Sequence, residues 1–203
     1  NKYVKLLGPL DIDSEKSKIE FELEIPARVK SSIKDIMERH NLKHSDFAVL
    51  HPFTSWSTKN WPLKKYKRLT DRFVNDHQLK VIFTGSKADR IPIEKITDNN
   101  NNIINLAGEI NLLELAYLFS KASLFVGGDT GPMHLAAARR IPVIALMGPT
   151  NPSRNGPYGD NNVVIQKNID CTNCWNKNCD KQNQCMELIT VDEVFSATKK
   201  FLD

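Results

Sequence analysis

The chain has 203 residues, of which 40% are hydrophobic and 26% charged, so it can form a globular core and is not an intrinsically disordered sequence. Its net charge of +4 is mild, and we expect no nucleic acid partner. We find no run of about 18 apolar residues and no secretory signal, so we predict no membrane-spanning helix. The chain begins with Asn1 rather than Met, and we interpret it as a fragment or a processed protein.

Short apolar runs alternate with amphipathic segments along most of the chain. The apolar runs predict strands at residues 47–50, 79–83, 103–106, 124–126, 143–147 and 163–165. The amphipathic segments predict helices at residues 29–39, 63–76, 91–97, 112–119 and 133–140, and a last helix that begins at a capping box of Thr190 and Glu193. This alternation is typical of a parallel sheet covered on both faces, so the predicted class is α/β with a Rossmann-like sheet.

The first 26 residues differ from the rest of the chain. They are charged and loop-like, and Pro26 then leads into the first predicted helix. We predict that residues 1–26 are a linker or the remnant of a preceding domain. Residues 27–203 form one Rossmann-like domain, which contains a cysteine-rich segment at 171–185.

A glycine-rich junction between a strand and a helix is the most informative motif. The apolar run at 124–126 leads to two glycines, and Asp129 or Thr130 can cap the helix that follows. Pro132 suits the first turn of that helix, and Gly131 lets a ligand approach the backbone. Because free N–H groups at a helix start attract phosphate, we predict that a phosphorylated ligand binds here.

A second motif follows the first predicted strand, at residues 51–62. Four hydroxyl side chains lie in this loop together with Lys59, whose mobile charge suits a diphosphate. Parallel strands place their carboxyl ends at one edge, so this loop and the glycine-rich junction should meet in one cleft. We interpret His51 as a structural hydrogen-bonding residue, and Trp56 and Trp61 as packing residues at the rim of that cleft.

The four cysteines lie in one segment with the spacing Cys-x2-Cys-x4-Cys-x5-Cys. They are Cys171, Cys174, Cys179 and Cys185. Clustered thiols in a reducing compartment suggest a small metal site, most simply zinc. Two local disulfides and four free thiols are the alternatives, and the sequence leaves all three open.

The order of the motifs resembles the carboxyl-terminal half of glycosyltransferase family 9, the lipopolysaccharide heptosyltransferases. The resemblance covers about residues 27–203. It is carried by the sequences His51-Pro52, Lys59-Asn60-Trp61-Pro62, Phe83-Thr84-Gly85, Asn105-Leu106-Ala107-Gly108, Gly128 to Ala136 and Gly148-Pro149-Thr150-Asn151-Pro152. The cysteine segment is similar to a pattern in the heptosyltransferase II branch. Because the family's chemistry does not use these cysteines, a metal there would be structural.

The resemblance implies a GT-B fold, in which the carboxyl-terminal domain binds a nucleotide sugar such as ADP-heptose and transfer is inverting without a catalytic metal. It implies that Lys59 and Thr54 contact the diphosphate and that Asp129 holds sugar hydroxyls. It also implies that Gly85, Ser86 and the Glu109–Ile110 region line the nucleoside pocket. The complete set of donor-binding residues is then Thr54, Ser55, Lys59, Gly85, Ser86, Glu109, Ile110, Asp129, Thr130, Gly131, Pro132 and His134.

The same resemblance assigns the acceptor and the catalytic base to an amino-terminal domain, for which we find no room before residue 27. We therefore predict that this chain binds the donor, contains no catalytic base and transfers sugar poorly by itself. The implied acceptor is a lipid-linked saccharide of the lipopolysaccharide core. The implied location is the cytoplasm, with possible peripheral contact at the inner membrane. A non-catalytic nucleotide-sugar-binding module and another GT-B enzyme, such as a UDP-sugar epimerase, are the alternatives.

Overall fold

A computed structural model describes Pro9 and residues 20–97 and 100–202. In this part of the chain six strands form one parallel sheet. They are β1 (Phe47–His51), β2 (Lys80–Phe83), β3 (Ile103–Asn105), β4 (Leu124–Gly128), β5 (Val143–Met147) and β6 (Asn162–Gln166). Their order across the sheet is β3-β2-β1-β4-β5-β6. The predicted α/β class with a Rossmann-like parallel sheet is confirmed.

Helices connect the strands and cover the sheet. They are α1 (Ala27–Arg39), α2 (Leu63–Asp76), α3 (Arg90–Thr97), α4 (Leu112–Phe119), α5 (Gly131–Ala138), α6 (Pro152–Asn155), α7 (Gln184–Glu187) and α8 (Val191–Leu202). Two single 3-10 turns lie at Ser57–Lys59 and Lys87–Asp89. No helix among the residues described is long and apolar enough to cross a bilayer.

The hydrophobic core lies on both faces of the sheet. In β1, Phe47 and Val49 pack with α1, α4 and α5, whereas Ala48 and Leu50 pack with α2, α3 and α8. Successive side chains of a strand point to opposite faces, so a strand covered on both sides must be apolar at every position. This explains why β1, β4 and β5 are buried along their whole length and were visible as continuous apolar runs.

Two short helices and both ends of a third helix differ from the prediction. The helix predicted at 133–140 begins at Gly131 and ends at Ala138, because Arg140 adopts a left-handed conformation with φ 59°. The one-turn helices α6 and α7 were not predicted, since four residues are too few to show helical periodicity. The capping box at Thr190 is confirmed.

The region before α1 is described only in part, because residues 1–8 and 10–19 of the predicted linker lie outside the described residues. Residues 20–26 have no helix or strand. Ile25 is nevertheless buried, and it packs against Val29 of α1 and Ala116 of α4. The division of the chain at residue 26 stays a prediction.

The strand order places the candidate site. The chain starts in the middle of the sheet, moves outward through β2 and β3, and then returns to β4 on the other side of β1. The order reverses between β1 and β4, and a crevice for ligands forms beyond the carboxyl ends of such a pair. The loop after β1 and the start of α5 both lie at this point, as the sequence predicted.

Candidate functional site

The carboxylate of Asp129 is the centre of the polar contacts at the end of β4. Its Oδ2 atom lies 2.8 Å from Lys59 Nζ and accepts a hydrogen bond of 3.1 Å from Asn155 Nδ2. The side chain of Asp129 is 6% exposed and that of Lys59 12%, so the ion pair is largely removed from water. His134 Nε2 lies 4.0 Å from the other carboxylate oxygen, Oδ1. Three separate loops or helices therefore converge on one carboxylate.

The start of α5 offers backbone donors, although its cap differs from the prediction. Thr130 occupies the N-cap position, but its side chain makes no capping hydrogen bond, and Asp129 binds Lys59 and Asn155 instead of capping the helix. Within the described part of the chain, the amides of Thr130 and Gly131 donate no hydrogen bond, and Pro132 has no N–H. A Cβ atom added at Gly131 would meet no atom within 4 Å. The helix start is therefore open to a ligand, as predicted.

The loop after β1 is ordered by its own polar groups. Thr54 Oγ1 donates a hydrogen bond of 2.7 Å to the carbonyl of Trp56, and the Thr54 amide donates to Asn60 Oδ1 at 2.8 Å. The Thr54 hydroxyl is thus already used within the loop, and Ser55 is exposed. Gly128 is needed for close approach, because a Cβ atom there would lie 2.9 Å from the Lys59 carbonyl oxygen.

A groove of about 630 Å³ lies on the β2 side of the same sheet edge. Its lining includes His51, Thr84, Gly85, Ser86, Ile110 and Pro132. Gly85, Ser86 and Ile110 therefore lie together, and their role in nucleoside binding stays a prediction. Glu109 does not line this groove, since its carboxylate binds Arg90 Nη1 at 2.6 Å. Three of the four residues predicted for the nucleoside pocket therefore line this groove, and Glu109 does not.

His51 stands between the two parts of the site. Its Nδ1 shares a hydrogen bond of 2.9 Å with Thr84 Oγ1, which confirms the predicted hydrogen-bonding role. Burial lowers the pKa of His51 from 6.5 to about 4, against a smaller opposite effect of Asp89. The imidazole is therefore neutral at physiological pH.

The lowered pKa predicts a loss of stability in mild acid. The unfolded chain binds a proton at His51 below pH 6.5, whereas the native chain does so only near pH 4. The free energy of unfolding should therefore fall between these values, by about 3 kcal/mol in total from this group. Urea unfolding at pH 7 and pH 5 measures the effect. His51→Gln should reduce the difference and the exposed His44→Gln should not, and equal pH dependence in all three proteins would contradict the prediction.

The four cysteines are free thiols, and Cys185 is buried while Cys174 is exposed. Burial raises the pKa of Cys185, and the nearby cysteines raise it further. Among the residues described, no group of three or more His, Cys, Asp or Glu side chains is arranged to hold a metal ion. The predicted structural zinc therefore stays a prediction.

Comparison with known proteins gives the family. The sequence profile of Glycosyltransferase family 9 (heptosyltransferase) matches residues 1–185. The chain belongs to this family. Lipopolysaccharide heptosyltransferase 1 of Pseudomonas aeruginosa is 31% identical over 150 residues, which are 72% of this chain and 42% of that protein. The family match begins at residue 1, before the point at which we had placed the start of the resemblance.

Solved structures agree on the fold. A glycosyltransferase family 9 protein from Veillonella parvula superposes with a TM-score of 0.82 and 23% identity, over 98% of this chain and 58% of that one. An Escherichia coli heptosyltransferase solved with ADP superposes with a TM-score of 0.70 and 18% identity, over 96% of this chain and 53% of that one. The chain spans about half the length of the relatives that it matches.

Sequence reasoning missed Asn155 and the pairing of Lys59 with Asp129. Asn155 lies at the end of α6, three residues after Pro152, the last residue of the family motif at 148–152. An Asn-Pro pair is a helix-start signal, and it could have shown that a short helix brings a polar side chain toward the site. The ion pair had no such signal, because 70 residues separate its partners.

Proposed function

We propose that this chain is the donor-binding part of a heptosyltransferase, and that it binds ADP-heptose for inverting transfer to a lipopolysaccharide core acceptor. The observation that carries the proposal is the largely buried pair of Lys59 and Asp129 beside the open start of α5. Family membership and the Escherichia coli relative solved with ADP support it. Membership also favours a glycosyltransferase over the epimerase and the non-catalytic module.

The diphosphate would lie against the start of α5. The amides of Thr130 and Gly131 offer two donors and the helix dipole favours negative charge there. Lys59 adds a cation at the same sheet edge. When the glycosidic bond to the sugar breaks, negative charge grows on the departing diphosphate. Fixed donors and a cation at that place lower the barrier, because they stabilise the transition state more than the ground state.

The sugar would lie over Asp129. Lys59 and Asn155 both contact Oδ2, so this oxygen is occupied and the carboxylate is held in one orientation. Among the described residues Oδ1 faces only His134, at 4.0 Å, and it is the oxygen available to accept a hydrogen bond from a sugar hydroxyl. The nucleoside would extend along the groove that contains Gly85, Ser86 and Ile110.

The acceptor and the catalytic base belong to the other half of the enzyme in this proposal. Transfer needs a base that removes the acceptor proton and an acceptor held in line with the donor. The acceptor would be a lipid-linked saccharide, met at the cytoplasmic face of the inner membrane. We expect the 203-residue chain to bind ADP without measurable transfer, and turnover comparable to a complete enzyme would contradict this division of roles.

Asp129→Asn should remove the preference for the sugar while it keeps nucleotide binding. The amide oxygen can still accept from Lys59 and Asn155, but an NH2 group then replaces Oδ1, and it cannot accept a hydrogen bond from a sugar hydroxyl. We expect the affinity for ADP-heptose to fall about tenfold, to that of ADP, because hydrogen bonds to charged groups contribute about 1.5–3 kcal/mol. Isothermal titration calorimetry with both ligands measures the ratio of the affinity for ADP-heptose to the affinity for ADP. A ratio unchanged from the unmodified chain would show that Asp129 does not contact the sugar.

The same calorimetry tests the nucleotide. ADP, UDP and GDP carry the same diphosphate, so differences in their binding affinity reflect contacts of the base with the groove and not contacts of the diphosphate with Lys59. The proposal expects ADP to bind more tightly than UDP or GDP. Tightest binding of UDP would favour the epimerase alternative.

A further inference from the structure

Two exposed cations beside the candidate site lie against aromatic rings. Arg154 Cζ is 5.0 Å from the centroid of the Trp175 ring, and Lys177 Nζ is 5.0 Å from the centroid of the Trp56 ring. In the described ranges neither cation has a carboxylate within ion-pair distance. Contact with an aromatic face holds a cation in place but does not neutralise it. The two residues therefore present positive charge in a defined position.

Both cations are connected to the Lys59–Asp129 pair. Lys59 Nζ lies 4.4 Å from the same Trp56 ring that Lys177 contacts. Arg154 directly precedes Asn155, whose amide donates to Asp129. Because Lys59 is paired with Asp129, the charge of that carboxylate is already balanced. Arg154 and Lys177 therefore add unbalanced positive charge at the rim of the site, next to this pair.

The segment that carries Trp175 and Lys177 is fixed to both sides of the site. The Thr58 hydroxyl donates a hydrogen bond of 2.9 Å to the carbonyl of Asn176, and this ties the segment to the loop after β1. The Trp175 amide donates one of 2.9 Å to the carbonyl of Pro149, and this ties it to the loop after β5. The rim is thus preorganised, and an anion that binds there need not order it.

We propose that Arg154 and Lys177 form a second anion-binding site, outside the diphosphate subsite, for a carboxylate or phosphate group of the saccharide acceptor. The inference rests on the proposed function, which already assigns Lys59 and the start of α5 to the diphosphate. A guanidinium group binds carboxylate or phosphate through two parallel hydrogen bonds, and an ammonium group adds a point charge. The acceptor, although held by the other half of the enzyme, must approach Asp129 from the solvent side, where the two cations are exposed and can contact one of its anionic groups.

The indole N–H signals of the full chain can test this site by NMR. Trp56 and Trp175 lie at the rim, whereas Trp61 is buried with its indole donating to Ile189 O and serves as an internal reference. The probes are digalacturonate and glucose 6-phosphate as acidic saccharides, and cellobiose as a neutral one. We expect both acidic saccharides to shift the signals of Trp56 and Trp175 but not that of Trp61, and cellobiose to shift none.

The double variant Arg154→Gln/Lys177→Gln should weaken binding of the acidic saccharides by about five- to tenfold, the range expected when two exposed charge pairs are lost. Its affinity for ADP should change less than about twofold, since the diphosphate subsite is intact. Lys121→Gln is the matched control, because Lys121 also lies against an aromatic ring but next to the amino end of β4, and it should change neither affinity.

Three results would overturn the inference. They are no shift with the acidic saccharides, an equal shift with cellobiose, and a loss of ADP affinity in the double variant as large as the loss for the saccharides. The last result would assign both cations to the donor. Failure of the unmodified chain to bind ADP would instead contradict the proposed function. The two outcomes can be distinguished because the saccharide titration contains no nucleotide and does not depend on ADP binding.

Discussion

Lys59→Ala is expected to weaken the binding of ADP by about 10- to 150-fold, which corresponds to about 1.5–3 kcal/mol. The lysine is held at the sheet edge by Asp129 and by the Trp56 ring, so little conformational freedom is lost when a diphosphate binds. Its charge is also largely shielded from water, which strengthens the attraction. Calorimetric titration of the full chain with ADP measures the change.

The control for this variant is Lys64→Ala, which removes the same charge from the exposed side of α2. It should leave ADP affinity within about twofold, because a surface charge outside the site is screened. Removal of Lys59 leaves Asp129 with Asn155 as its remaining hydrogen-bond donor, so urea unfolding must first show that the variant is folded. An ADP affinity within twofold of the unmodified chain would show that Lys59 does not contribute to diphosphate binding.

Gly131→Leu is expected to weaken ADP binding by at least about 30-fold, or about 2 kcal/mol, with no loss of stability. A Cβ atom at this position meets no protein atom within 4 Å, so the fold can accept the side chain. The space that the side chain then occupies is the space in which we place the diphosphate. Calorimetry and urea unfolding on the same variant separate the two effects.

Gly131→Ala is the matched variant for this position. One methyl group also meets no atom, but it fills far less of the open space, so the loss of ADP affinity should be clearly smaller. The loss of ADP affinity should therefore increase with the size of the side chain at position 131. If leucine at position 131 left the ADP affinity unchanged, the start of α5 would not be the diphosphate site.

Much of the fold could be predicted because the patterns that indicate strands and helices involve residues close together in the sequence. All six strands were found as apolar runs, and the clearest were β1, β4 and β5, which are buried along their whole length. The capping box of Thr190 and Glu193 showed where α8 begins, because its residues lie within one turn. The helices α6 and α7 escaped prediction because a single turn has no periodicity to detect.

The candidate site was predictable as two motifs but not as a set of contacts. The residues at the end of β1 and at the start of α5 could be named from the sequence, because glycines and a helix start have a known affinity for phosphate. Their polar partners could not be named. Asp129 was one of two candidates for the helix cap and instead pairs with Lys59, and Glu109 was expected in the nucleoside groove but binds Arg90.

The sequence by itself determined the order of strands and helices, the α/β class and the two loops that carry the site, since each depends on residues close together in the chain. Only the tertiary structure decided that Lys59, Asp129 and Asn155 meet, and that the cations Arg154 and Lys177 lie against Trp175 and Trp56 beside them. The physical reason is distance along the chain. Contacts between residues as far apart as Lys59 and Asp129 exist only after the parallel strands have assembled, and no local pattern encodes which side chains then face one another.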